Sequence, residues 1–218
     1  MLTHHTAAPE VIRGRLLQMM AALERTGGTP IDTRSLHAFA FFANVLSPLW
    51  DLDPIDGSIL KDEQGPYYPA LQRELDILVG NGLVTVDSLE QILVSGKKTE
   101  LTAYFRLAME RARPVLELIT CLPDESDTEQ FLTELASAFV EILPDKRDDA
   151  ALVDAAYSDP SVSGGRIVDF AEWVEPTIKN ASWNTAQSFQ SYMPAGMMLN
   201  RAEKLVMYMR LLKRRAHG

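Results

Sequence analysis

Ser58-Ile-Leu-Lys-Asp-Glu-Gln-Gly-Pro-Tyr-Tyr-Pro-Ala-Leu-Gln-Arg-Glu-Leu-Asp-Ile-Leu-Val-Gly-Asn-Gly-Leu-Val-Thr-Val86 reads as a short strand, a tight turn, an amphipathic helix, a glycine stop and a second strand. Pro66 and Pro69 suit a helix start, where a missing backbone donor is harmless. Along the helix Leu71, Leu75, Leu78 and Val79 recur at i, i+4, i+7 and i+8, and Gly80 to Gly82 end it. This order is the core of a winged helix-turn-helix.

The flanking sequence extends that unit in both directions. Upstream, Ile12, Leu16, Met19, Met20 and Leu23 form one stripe over residues 9–25, which predicts a leading helix broken by the turn at 26–30. Thr33 or Ser35 can cap a helix over 36–46, whose near-continuous apolar surface predicts burial on more than one side. Residues 47–57 are dense in turn formers and read as a loop. Downstream, residues 83–87 and 91–95 are expected to pair as the wing hairpin. Alternatively, 87–91 cap a helical turn.

Beyond residue 98 the strand signal stops and a succession of helices is expected. They cover 99–113, continuing past a kink or break at Pro114 to 120, then 128–143, capped near Asp127 and stopped by Pro144. Shorter helices are read over 148–157, 167–178 and 185–191. A final helix over 197–215 places Met198, Leu199, Ala202, Leu205, Val206, Met209 and Leu212 on one apolar stripe. The fold expected is mainly α with a small β wing: a winged helix-turn-helix N-terminal part, residues 1–97, and a helical C-terminal part, residues 98–218.

With 218 residues, 46% of them hydrophobic, the chain can bury a full core. Its 21 basic and 30 acidic side chains give a formal charge of -9, so the average field repels nucleic acid and anionic membranes. Any DNA contact requires a local basic patch. A lone cysteine, Cys121, excludes an intrachain disulfide and fits a reducing, cytoplasmic setting. The first ten residues lack the pattern of a signal peptide, and no apolar run is long enough for a transmembrane helix.

Catalytic and metal signatures fail on spacing. In the acidic loop from Asp51, a calcium-site register places Ile55 at the third ligand, Asp56 where glycine is needed and Asp62 where a bidentate glutamate belongs. The histidines at 4, 5, 37 and 217 form no ligand pattern, and His37 reads as a hydrogen-bonded core or boundary histidine. Cys121 lies in an apolar stretch that makes a poor thiolate, and no nucleophile elbow accompanies it. Glu74 and Asp76 fall on different helix faces and Asp148 and Asp149 are adjacent, so neither pair reads as an acid–base couple. Residues 161–166 match no phosphate loop and read as a plain loop. No catalytic residue, metal ligand or cofactor site is assigned.

The third helix decides between partner classes. A DNA reader presents cations and amides outward with little negative charge, whereas the outward positions here read as Gln72, Arg73, Glu74, Asp76 and Asn81. Protein–protein use is therefore favoured over DNA reading. A basic group does lie on the last helix, with Arg201, Lys204, Arg210, Lys213, Arg214 and Arg215 beside its apolar stripe. Cations near a helix C-terminus also offset the macrodipole, so a solvated face is the first reading of it. The candidate contact residues are Gln72, Arg73 and Asp76 on the third helix and Arg210, Lys213, Arg214 and Arg215 on the last. Methionines 193, 197, 198, 207 and 209 read as core filler.

The segment Gly65-Pro-Tyr-Tyr-Pro-Ala-Leu-Gln-Arg-Glu-Leu-Asp-Ile-Leu-Val-Gly-Asn-Gly-Leu-Val84 resembles the winged-helix part of the small middle components of three-component bacterial defence systems. Those systems, Lamassu-like ones among them, are built around an SMC-like or ABC-type ATPase. The likeness covers residues 33–95. A similar Gly-Pro-x-Tyr-Pro turn occurs in Panacea-type antitoxin domains. The resemblance implies a non-catalytic adaptor bridging the ATPase to an effector such as a nuclease, and carries over no catalytic residue. The competing expectation is a winged-helix transcriptional regulator or antitoxin.

Overall fold

Glycine ends the first helix of the computed structural model, α1 (Pro9–Thr26): Gly27 takes the left-handed conformation at φ 76°, and Gly28 N–H reaches back to Leu23 O at 2.7 Å. The structure describes residues 7–55, 58–95, 98–123, 125–158, 165, 167–169 and 180–217. A two-residue strand β1 (Ile31–Asp32) leads into α2 (Thr33–Leu46). The cap of α2 is neither Thr33 nor Ser35. Asp32 caps it, accepting from Ser35 N–H at 2.9 Å, because a carboxylate one residue earlier sits on the free donors. From Ser35 to Leu46 every residue of α2 is buried, which makes it the central helix.

Around α2 the aromatic core closes edge to face. Phe39 and Phe139 are 5.2 Å apart between ring centroids, Phe41 and Tyr157 5.5 Å, and Trp50 and Phe131 5.1 Å. Each such side chain contributes roughly 1.5–3 kcal/mol through burial alone. The buried cluster runs from Ile12 to Leu212 and so draws on both ends of the chain.

The hairpin β2 (Ser58–Asp62) and β3 (Gly65–Tyr67) precedes α3 (Pro69–Gly80). Gly82, at φ 70°, turns the chain out of α3, and Leu83 N–H bonds Leu78 O at 3.0 Å. There follow β4 (Val84–Ser95) and β5 (Lys98–Leu107), which pair antiparallel, with β5 also pairing β1 to give the order β1-β5-β4. A second antiparallel sheet has the order β3-β2-β6, where β6 is Ile167–Asp169. The remaining helices are α4 (Met109–Thr120), which holds Pro114 inside it, α5 (Glu125–Val140), α6 (Arg147–Leu152), α7 (Ala181–Ser188) and α8 (Arg201–His217). The described chain is mainly helical with two small antiparallel sheets. None of its helices is long and apolar enough to cross a membrane.

Several local expectations are corrected. Residues 83–87 and 91–95 do not pair with each other; 84–95 form one strand, and its partner is β5. Residues 98–107 are therefore strand, and helix begins only at Met109. Phe105 and Leu107 turn into the core while Tyr104 and Arg106 stay half-buried, an alternation of period 2. The expected boundary between 97 and 98 falls between the two strands of this hairpin. Helix α5 starts at Glu125, not near 128, and the helix read over 148–157 is the shorter α6, starting at Arg147. Of the helix read over 167–178, residues 167–169 are β6 and 170–178 lie outside the described residues, as do His4, His5 and all but Gly165 of the 161–166 loop. Met197 and Met198 are exposed, the latter 79%, so they do not fill the core.

The two halves are stitched by polar contacts. The Tyr157 hydroxyl donates to Asp62 O at 2.6 Å and accepts from Asp62 N–H at 3.0 Å. Asp154, fully buried, accepts from Tyr208 Oη at 2.6 Å, Ser182 Oγ at 2.7 Å, Ala156 N–H at 2.8 Å and Tyr157 N–H at 3.1 Å.

Candidate functional site

Helix α3 presents two different faces. Its inner face buries Leu71, Glu74, Leu75 and Leu78 against the body. Glu74 is thus not outward as its position in the sequence suggested. Arg13 of α1 donates from Nε to Glu74 Oε2 at 2.7 Å, which lets a carboxylate sit among leucines. The outer face keeps Arg73, Asp76, Ile77 and Asn81 exposed.

Gln72 links that outer face to the core. Its amide donates to Asp76 Oδ1 at 2.9 Å, and its Oε1 lies 3.2 Å from His37 Nε2. His37 Nδ1 accepts from Tyr68 N–H at 3.1 Å, so the ring proton sits on Nε2 and donates to Gln72. His37 is 1% exposed. Burial lowers its pKa to about 4, against a smaller upward pull from the Gln72 bond, and the ring is neutral at pH 7. It is the hydrogen-bonded core histidine that its place on an apolar helix predicts.

Between α3 and the β4–β5 hairpin runs an open groove of about 350 Å³. One wall is Gln72, Asp76 and Val79; the other is Val86, Leu89 and Leu101, with Ala103 and Phe105 between them. The register explains why these side chains share a face: Val86 pairs Phe105, Leu89 pairs Ala103 and Gln91 pairs Leu101, with a bulge between Val86 and Ser88 that shifts the alternation. Leu89 is 61% and Leu101 68% exposed. Exposed apolar side chains gathered in one groove mark a contact surface more than scattered ones do.

Two other clefts are closed on themselves. The larger, about 550 Å³, lies beside Trp50, and its charges pair internally: Arg15 with Glu125, and Arg201 with Asp127 at 3.0 Å while stacked over the Trp50 ring at 5.2 Å. The smaller, about 250 Å³, is lined by His37, Asp62, Gln64, Tyr67 and Asp148. Burial pushes the Asp148 carboxyl up to about 7, and Asp32 adds to the shift while Arg34 opposes it. Among the described residues, no three or more His, Cys, Asp or Glu side chains are grouped to hold a metal ion. Asp51, first in the acidic loop, has a left-handed backbone closing the 3-10 turn Ser47–Trp50; Asp56 and Gly57 lie outside the described residues. Cys121 is exposed and not in an apolar setting, with Sγ donating to Glu117 O at 3.3 Å.

The structure keeps the two sets of predicted contact residues apart. Gln72, Arg73 and Asp76 lie on α3, which packs on α1 and β4; Arg210, Lys213, Arg214 and Arg215 lie on α8, which packs on α5, α6 and α7. Arg210 and Lys213 both approach Glu141 of α5 at 3.7 Å. Arg214 and Arg215 are exposed in the last turn. The apolar groove residues Val86, Leu89 and Leu101 carried a signal that was missed: the alternating Leu101-Thr-Ala-Tyr-Phe-Arg-Leu107 that makes β5. No protein-family model, no curated protein and no solved structure matches this chain.

Proposed function

We propose that this chain is a non-catalytic adaptor whose winged helix-turn-helix unit docks a partner protein in the groove beside α3. One observation carries this reading: the face that a DNA-reading winged helix turns toward phosphates is here apolar and acidic. Val86, Leu89 and Leu101 stand exposed on it, and Asp76 lies on its wall. A phosphate-lined groove offers such a surface neither charge pairing nor hydrogen bonds. The order α1-β1-α2-α3-β4-β5, with β1 beside β5, supports the winged-helix assignment. The resemblance of residues 33–95 to defence-system middle components implies an SMC-like or ABC-type ATPase and an effector nuclease as the partners. The chain would bridge them with no cofactor of its own.

A DNA-binding regulator or antitoxin is the competing reading, and what favours it is the pair of exposed arginines, Arg214 and Arg215, in the last turn of α8. An affinity pull-down of the tagged protein expressed from its native operon, with and without nuclease, separates the two. Nuclease-resistant recovery of an ATPase or effector is expected. Recovery of DNA alone, lost on nuclease treatment, overturns the adaptor role.

A further inference from the structure

Strand β4 is the edge of its sheet, and no described strand lies beyond it. Over residues 88–93 its register against β5 runs without a bulge. That stretch, roughly 20 Å long, presents an unpaired row of backbone donors and acceptors to its outer side. Its two faces differ in chemistry. The groove face carries Leu89, flanked by Val86 and Leu101. The opposite face carries Glu90, which accepts from the Tyr104 hydroxyl, and Asp87 lies nearby at the bulge.

Resting on the adaptor role above, we propose that the β4 edge takes an extended partner segment of alternating apolar and basic residues, added as a further strand. Strand addition satisfies the free backbone row. Period 2 then sends one set of partner side chains into the groove beside Leu89 and the other toward Glu90 and Asp87. Apolar residues suit the first position and lysine or arginine the second. The nearest described cation, Arg106, is already shared between Glu24 at 3.1 Å and Asp87 at 3.6 Å, so it leaves the edge acidic. The same acids argue against a second copy as occupant. Pairing β4 with its own counterpart sets Glu90 and Asp87 of one chain near those of the other, and like charges across a strand pair are unfavourable.

The test uses the full chain and a fluorescent peptide of alternating lysine and valine, long enough to span residues 88–93, followed by anisotropy. Controls are the glutamate–valine counterpart, a block-scrambled lysine–valine peptide and the alternating peptide N-methylated at every second residue. The alternating peptide is expected to bind, and each control to bind roughly tenfold or more weakly. Leu89→Asp and Glu90→Lys are each expected to weaken it several-fold with an unchanged circular dichroism spectrum, since both side chains are exposed. Equal binding of the scrambled or N-methylated peptide, or no binding, overturns strand addition. So does sedimentation as a dimer that the Glu90→Lys change alters, which assigns the edge to a second copy. A native partner whose recovery survives Leu89→Asp and Glu90→Lys removes this edge while leaving the adaptor role standing. Absence of any partner removes the role itself.

Discussion

Arg13 and Glu74, sixty-one positions apart in sequence, meet at 2.7 Å and fasten α1 to α3. The carboxylate side chain is 4% exposed and the guanidinium 32%, so the acid is the buried member. Arg13→Ala strands that carboxylate among leucines and is expected to cost about 2–4 kcal/mol in urea unfolding. Arg13→Met combined with Glu74→Leu removes both charges and is expected to come within about 1 kcal/mol of wild type. A double variant as unstable as Arg13→Ala refutes the assignment.

The buried Asp154 is a second clasp, joining the turn after α6 to α7 and α8. Asp154→Ala deprives Tyr208, Ser182 and two backbone N–H groups of their acceptor at once. A loss of about 3–5 kcal/mol is expected from the unsatisfied donors. Tyr208→Phe removes one donor of four and is expected to cost about 1–2 kcal/mol. The two losses should not add, because the variants share a partner, and a double-mutant cycle measures the coupling.

Stability should fall on acidification through the window set by His37. Its ring titrates near 6.5 in the unfolded chain and about 4 in the fold, so between those values the unfolded state binds the extra proton. Stability therefore rises with pH across this window, by up to about 1.4 kcal/mol per pH unit. Asp148 works in the opposite sense. Its carboxyl, raised from 3.8 to about 7, holds a proton in the folded chain that the unfolded chain has released, so its contribution falls as pH rises through the same range. Asp148→Asn is expected to steepen the acid loss measured by urea unfolding at pH 4.5 and 7. His37→Asn, which keeps an acceptor near Tyr68 N–H, is expected to reverse its sign. An unchanged pH dependence in either variant contradicts the assignment.

These clasps show how far the sequence could be read. Helices α1, α2 and α3 announce themselves through apolar stripes at helical spacing, because each buries one face or more. Strand β5 stayed hidden, since Leu101, Phe105, Ala108 and Ala112 also recur at helical intervals and lie among good helix formers. Only the pairing of Phe105 with Val86 and with Ile31 decides for strand. The inward turn of Glu74 depends on Arg13, and the burial of Asp154 on Tyr208 fifty-four positions away. Neither partner leaves a local trace. The groove was legible only in part: Gln72 and Asp76 were found on the helix, but Leu89 and Leu101 become neighbours of that helix only after the hairpin folds.

The cations of α8 supply the sharpest contrast between the two functional readings. Arg210 and Lys213 share Glu141 across to α5, and Arg214 and Arg215 sit in the last turn, where positive charge offsets the helix dipole. On this account they stabilise the α5–α8 packing weakly, and glutamine at all four is expected to cost about 1–2 kcal/mol, more at low salt than at high. Recovery of the partner protein should be unchanged. If these side chains instead contacted phosphates, removing four of them would flatten the dependence of log K on log salt by about 3–4. Titrating a labelled duplex from low to moderate salt with both proteins reads that difference directly. The expected result is a weak affinity and a salt slope that the substitutions leave within error. A slope that falls by the full amount transfers the function of this helix to nucleic acid.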